Sequence, residues 1–329
     1  MCPCPPPPLR TGPAPACAAA EPVLSERSSP SNGRWTVVWA RGEGCPELAG
    51  LLADGPATRV GADLRASCIE AGADLLVTRR LTAFNLIPVA VPHEFDASAV
   101  RAVVATVAGG PHSVLAAQVA ARLGGALGVP VSLVTVSPDV DSDDRAEAAL
   151  RRAAAVVPAP EARVVRAANP GTAARALPAG SLLVLGLGGG TWWRRQLFGP
   201  GHRLRAAAPA GAVVVRTAPR RCFQEMGEPA AIGRQMSAAE ALRLTTEAVV
   251  PVAEDGYLIG LVRRRAMKAA SPTVTLESLM EPPSFVRPED GLAAASDLVD
   301  FLEGAPVPVV DTDGRLCGLL PVSSPAPAQ

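Results

Sequence analysis

Beyond Arg34 the chain alternates short runs that are apolar at every position with longer stretches whose apolar residues recur at helical spacing. Runs of the first kind suit strands buried on both faces, and the second kind suits helices laid over them. Together they predict an α/β fold, a parallel sheet with crossover helices. The clearest unit spans 99–219. Its expected strands are Ala102–Val107, Val131–Val136, Arg163–Arg166, Ser181–Leu185 and Ala212–Arg216. Between them the pattern predicts a helix capped by Ser113 with the stripe Leu115, Val119 and Leu123, a helix over Asp143–Val156, and a short one over Thr172–Leu177.

The texture changes after Glu228. Ser237 and Glu240 form a capping-box signature ahead of a helix. Strand Val249–Ala253, a turn at Glu254–Gly256 and strand Leu258–Val262 follow. A second helix, Pro288–Val299, leads into strand Val307–Val310, a turn at Asp311–Gly314 and strand Leu316–Leu320. The region is thus an internal duplication of helix–strand–turn–strand.

A glycine-rich run after Leu185 carries the most chemistry. Gly186, Gly188, Gly189 and Gly190 lie between a buried strand and a helical stretch, with Gly199, Gly201 and His202 further on. Backbone amides left bare by glycine at such a turn suit phosphate oxygens. The spacing from Gly186 to Gly189 to Gly199 resembles the nucleotide loop of the universal stress protein family, which ends in Ser or Thr; here Pro200 stands at that place. The order of strands and helices is similar too. The resemblance implies an adenine-nucleotide α-hydrolase-like sheet, ATP as ligand and a homodimer. It places Gly186, Gly188, Gly189, Gly199, Gly201, His202, Val107 and Val136 at the nucleotide site, with Val107 where ATP-binding members carry Asp. Arg194, Arg195, His202 and Arg203 supply positive charge nearby, and Trp192 and Trp193 offer either a base-stacking surface or a docking surface for another subunit. The stretch 34–98 reads either as a degenerate universal-stress-like segment or as an unrelated α/β extension. Ala73–Thr78 and Ile87–Val91 are similar to the family's last two strands, and no glycine run lies between them.

The duplicated region, 228–325, resembles a tandem pair of CBS domains, α+β regulatory modules that pair around adenosyl-ligand clefts. Leu279–Pro282 and the run Pro308–Gly318 carry the likeness. Ligand-binding copies end in Gly-x-x-Thr/Ser-x-x-Asp. Here Arg263 and Ala266 follow Gly260, and Pro321 and Ser324 follow Gly318. The resemblance therefore implies a cleft at Arg263, Arg264, Arg265 and Ser324 that has lost its usual ligand side chains, so that an adenosyl ligand such as AMP or ATP is what the resemblance allows there rather than what it predicts.

Composition narrows the classes. Formal net charge is zero, which argues against a bulk pull toward nucleic acid or an anionic membrane. Lys268 is the only lysine, so the arginines reflect coding bias more than selection. Residues 1–33, rich in proline, read as a disordered tail without a signal peptide's apolar core. Seven scattered cysteines suit a reducing, cytoplasmic setting, and Cys2 and Cys4 alone make a poor metal site. Asp141, Asp143 and Asp144 suit a helix start better than a metal, and His112 and His202 are candidates for one sheet rim. No catalytic constellation and no P-loop emerge. The expectation is a non-catalytic stress-response regulator of bacterial type that senses an adenine nucleotide. A ligand-free dimeric scaffold and a weak nucleotide hydrolase are the alternatives.

Overall fold

A computed structural model describes residues 34–80, 84–137, 143–155, 157, 161–167, 170–186 and 208–322. The proline-rich tail and most of the glycine run, Gly188 to His202 included, lie outside the described residues, as does Ser324.

The first part of the chain builds one nine-stranded sheet. In chain order its elements are β1 Val37–Ala40, α1 Pro46–Leu52, β2 Thr58–Val60, α2 Leu64–Glu70, β3 Leu75–Val77 and β4 Val89–His93, followed by β5 Ala102–Thr106, α3 Pro111–Leu127, β6 Val131–Ser137, α4 Asp143–Ala154, β7 Glu161–Arg166, α5 Pro170–Arg175, β8 Ser181–Gly186 and β9 Ala212–Arg216. The strand order is β2-β1-β3-β4-β9-β8-β5-β6-β7. Every pairing is parallel except that between β4 and β9, where Ala90 faces Val215 and Val91 faces Val214. Counted outward from that junction, both halves run last strand, next-to-last, first, second. The half ending in β9 adds β7 as a third, and the half ending in β4 stops at β2. The sheet thus holds two doubly wound halves back to back, one a strand shorter.

Period-two alternation within fully buried strands explains the layers. Val37, Leu75, Val103, Leu182 and Val213 point to the face covered by α1, α3 and α4. Their neighbours Val38, Leu76, Val104, Leu183 and Val214 point to the face that carries α2 and α5. Helix α3 starts from Gly110 as N-cap with Pro111 in its first turn and stops at Gly128, whose φ of 66° closes the left-handed cap. Ser113 does not cap this helix as its sequence context suggests. It sits inside the first turn, buried, and its hydroxyl accepts from the Ala108 amide at 2.9 Å.

The duplicated region folds as α6 Ala238–Leu244, β10 Val249–Glu254, β11 Tyr257–Arg263, α7 Arg264–Ala269, α8 Leu292–Val299, β12 Val307–Val310 and β13 Leu316–Leu320. The capping box forms: Ser237 Oγ accepts from Glu240 N at 3.3 Å, and the Glu240 carboxylate accepts from Ser237 N at 3.2 Å. Reciprocal contacts define a pseudo-two-fold axis between the copies. Arg221 bridges to Gly291 as Thr275 does to Ser237, and Gly227 bridges to Leu319 as Glu281 does to Leu261. On the axis Tyr257 faces Arg315, whose guanidinium lies 5.0 Å from the tyrosine ring centre. Equivalent glycines mark the crossings. A Cβ on Gly260 would stand 3.0 Å from Glu281 O, and one on Gly318 2.4 Å from Gly227 O. Each copy's core also takes a residue from the turn that precedes the other copy: Leu276 packs with Val252 and Met267, and Cys222 with Val309 and Leu320.

Among the described residues no helix is long and apolar enough to cross a membrane.

Candidate functional site

Among the described residues, Gly186 and His112 meet at one place and Arg263, Arg264 and Arg265 lie at a second. The first is the carboxyl rim of β5 and β8, neighbours in the sheet although two strands separate them in the chain. Here the crossovers leave in opposite directions, the switch point at which open α/β sheets form a crevice. Gly186 ends β8 against the start of α3. A Cβ there would lie 2.5 Å from the carbonyl oxygen of His112 and 3.0 Å from Ser113 N, so only glycine lets strand and helix meet. The positive end of a helix of 17 residues therefore opens at this rim.

His112 sits beside it. Its Nδ1 accepts from the Thr217 amide at 3.0 Å, which leaves the ring proton on Nε2. Burial and then the positive charge of Arg216, the last residue of β9, push its pKa below the ordinary value. The neutral imidazole is thus favoured, with Nε2–H as a donor. Val107 is buried just past β5 and its amide donates to Val134 O at 2.8 Å. Val136, near the end of β6, lines a cavity of about 130 Å³ on the opposite face with Thr106, Val134, Leu183, Leu177 and Arg163. Asp141 of the acidic run lies outside the described residues. Hydrogen bonds from Ser137 and from Arg166, the latter at 2.5 Å, hold the Asp143 carboxyl below the ordinary range and clasp the ends of β6 and β7 to α4. Among the described residues no group of three or more potential metal ligands occurs.

The second place is the end of β11. Arg263 Nε donates to both Glu281 carboxylate oxygens at 2.9 and 3.0 Å. Its Nη1 reaches Glu303 at 2.6 Å and the Phe301 carbonyl at 3.3 Å. The guanidinium also lies 5.1 Å from the Phe301 ring centre. Glu281 and then Glu303 hold the Arg263 pKa above its already high value. Arg265 lies 3.4 Å from the same Glu303. Arg264 is turned away, its amide donating to Ala248 O at 2.7 Å and its side chain to Thr245 O. Of the three arginines expected at the cleft, two contact carboxylates and the third anchors a loop. Sequence reasoning missed Glu281 and Glu303. Glu281 stands inside the Leu279–Pro282 run that marks the second copy, and only the fold brings it to Arg263.

No family model and no curated protein matches the chain. Solved structures with local likeness are CBS-domain pairs. The cytosolic domain of a Mg2+ channel in complex with ATP is 26% identical, at a TM-score of 0.28, over 31% of this chain and 46% of that one. A CBS-pair protein from Arabidopsis thaliana is 25% identical, at 0.27, over 30% and 84%. A CBS-pair and ACT-domain protein from Thermotoga maritima is 19% identical, at 0.29, over 31% and 90%. The chain spans about half the length of the channel domain. At these TM-scores the likenesses carry no further argument.

Proposed function

We propose that this chain is a non-catalytic regulatory protein that binds an adenine nucleotide or a related phosphate ligand at the β5–β8 rim and transmits occupancy by population shift. The observation that carries the reading is the meeting of Gly186 with the start of α3 at a topological switch point, beside the neutral His112 and the Arg216 charge. A phosphate placed there meets a helix dipole and a ring N–H donor. The strand order of the half ending in β9 supports a universal-stress-like unit. The same winding in the half ending in β4 supports a shortened second copy over 34–98. The reciprocal bridges around Tyr257 and Arg315 support a CBS-like pair over 228–325. A cytoplasmic homodimer completes the proposal, since both resemblances imply dimers.

The scaffold reading is favoured by one specific observation: Arg263 already holds two carboxylates. Thermal melting with ATP, ADP and AMP, with and without magnesium, separates the two. A ligand at a hundredfold excess over its Kd stabilises by about 2.7 kcal/mol, a shift of several degrees for a chain this long. A concentration-dependent rise in Tm supports the sensor. A flat profile at millimolar nucleotide removes it in favour of the scaffold.

A further inference from the structure

The short turn Cys222–Gln224 stands between two cores. Cys222 is wholly buried in the cluster of the second copy, with Val309 and Leu320. The next residue, Phe223, is buried in the cluster of the sheet, with Leu76, Leu86, Ile87 and Val89. Met226 packs against both. Polar contacts reinforce the wedge on each side. Arg220 Nη1 reaches Asp74 at 2.7 Å and its Nη2 reaches Glu225 at 2.7 Å, with the Arg220 and Asp74 side chains only 6% and 11% exposed. Gln224 donates to Ala73 O at 3.0 Å, and Arg221 donates to the carbonyls of Leu86, Asn85 and Glu289. The amides of Cys222 and Phe223 donate to Asp290 O and Pro288 O, just ahead of α8.

The internal duplication supplies the control. The equivalent turn, Leu276–Leu279, keeps the inward residue: Leu276 fills the first copy's core as Cys222 fills the second's. At the outward positions, however, Glu277 and Ser278 replace Phe223 and Gln224, and both are exposed. Glu277 pairs at the surface with Arg234 and Gln235. Folding of the repeat pair therefore does not require an aromatic at this position, and the turn that carries one is the turn packed on the sheet.

We propose that residues 220–224 are a mechanical coupler. They lock the repeat pair onto the amino ends of β3 and β4 and make the pair and the sheet move and unfold as one cooperative unit. A displacement between the two copies, which the Arg221–Gly291 bridge spans, is delivered through Phe223 to the sheet. This coupling stands independently of any nucleotide.

The test is Phe223→Glu in the full chain, the residue type found at the equivalent position. The expected result is a single melting transition split into two, with trypsin cleavage after Arg220 and Arg221 accelerated at least tenfold. Phe223→Leu should retain one transition and slow cleavage. An unchanged melt and unchanged cleavage for Phe223→Glu overturn the proposal. Should that variant fail to fold, Asp74→Asn decides: acceleration confined to the Arg220–Arg221 bonds supports the coupler, and no acceleration or a uniform one across the chain overturns it.

Discussion

The β5–β8 rim and the Arg263 end of the repeat pair both present hydrogen-bond donors at the carboxyl end of a strand, and they differ in what those donors touch. At Arg263 the chain supplies its own anions, Glu281 and Glu303, at 2.9 and 2.6 Å. At the rim it supplies a helix start and a histidine whose Nδ1 is already occupied by the Thr217 amide. An incoming phosphate at the first place must displace carboxylates, and at the second it meets donors. Arginine content alone therefore says little about anion binding; the carboxylates brought to it by folding decide.

The largest effects should come from destroying the close approaches that shape each place. Gly186→Val puts a side chain where His112 and Ser113 backbone atoms stand, and Gly318→Val does the same against Gly227 O. Each should destabilise by on the order of 3 kcal/mol or more, read as a lower urea midpoint, with nucleotide response lost only in the first. Loss of response only in the second would place the ligand at the repeats instead.

Removing the internal anions sharpens the comparison from the other side. Glu281→Gln combined with Glu303→Gln frees Arg263. Calorimetric titration with ATP should then show a second binding event, or about tenfold tighter overall binding, equal to about 1.4 kcal/mol. No gain would mean that the Arg263 end lacks the shape for a nucleotide.

His112 gives the next smaller effect. Its folded pKa lies below the ordinary 6.5, so the unfolded chain binds more protons in the window just under that value. The histidine's contribution to stability is present above 6.5 and is lost as pH falls through the depressed value. Melting between pH 8 and pH 5 should show this fall, and His112→Gln should flatten it. The same substitution should weaken nucleotide binding a few-fold.

Asp143→Asn is the mild control. Its partner Arg166 is largely exposed, so the loss should be the smallest of this series. Chelator should leave the wild-type melt unchanged if Asp143 is the clasp that the geometry indicates.

Much of this molecule is legible in local sequence. Buried strands announce themselves because every position is apolar, and Ala212–Arg216, Val307–Val310 and Leu316–Leu320 form over the expected residues. The Ser237–Glu240 box is legible because both partners lie within one helical turn. Ser113 misled, since a serine near a helix start suits the N-cap, and the preceding Gly110-Pro111 pair starts the helix sooner.

Other features needed the tertiary structure. The glycine spacing marks the rim, and only the contact of Gly186 with His112 gives its first residue a packing reason. The antiparallel junction of β4 and β9, the carboxylates on Arg263 and the burial of Phe223 beside Leu76 join residues far apart in the chain. Period, capping and turn chemistry act over a few residues and are therefore written locally, so most strands and helices of 99–219 and the duplication of the last region could be read from the chain, whereas β1, α1, β2, α2 and α7 were not. Which strand edge meets which, which carboxylate neutralises which arginine and which of two equivalent turns becomes a wedge depend on chain segments brought together by burial. Those were decided only when the core closed.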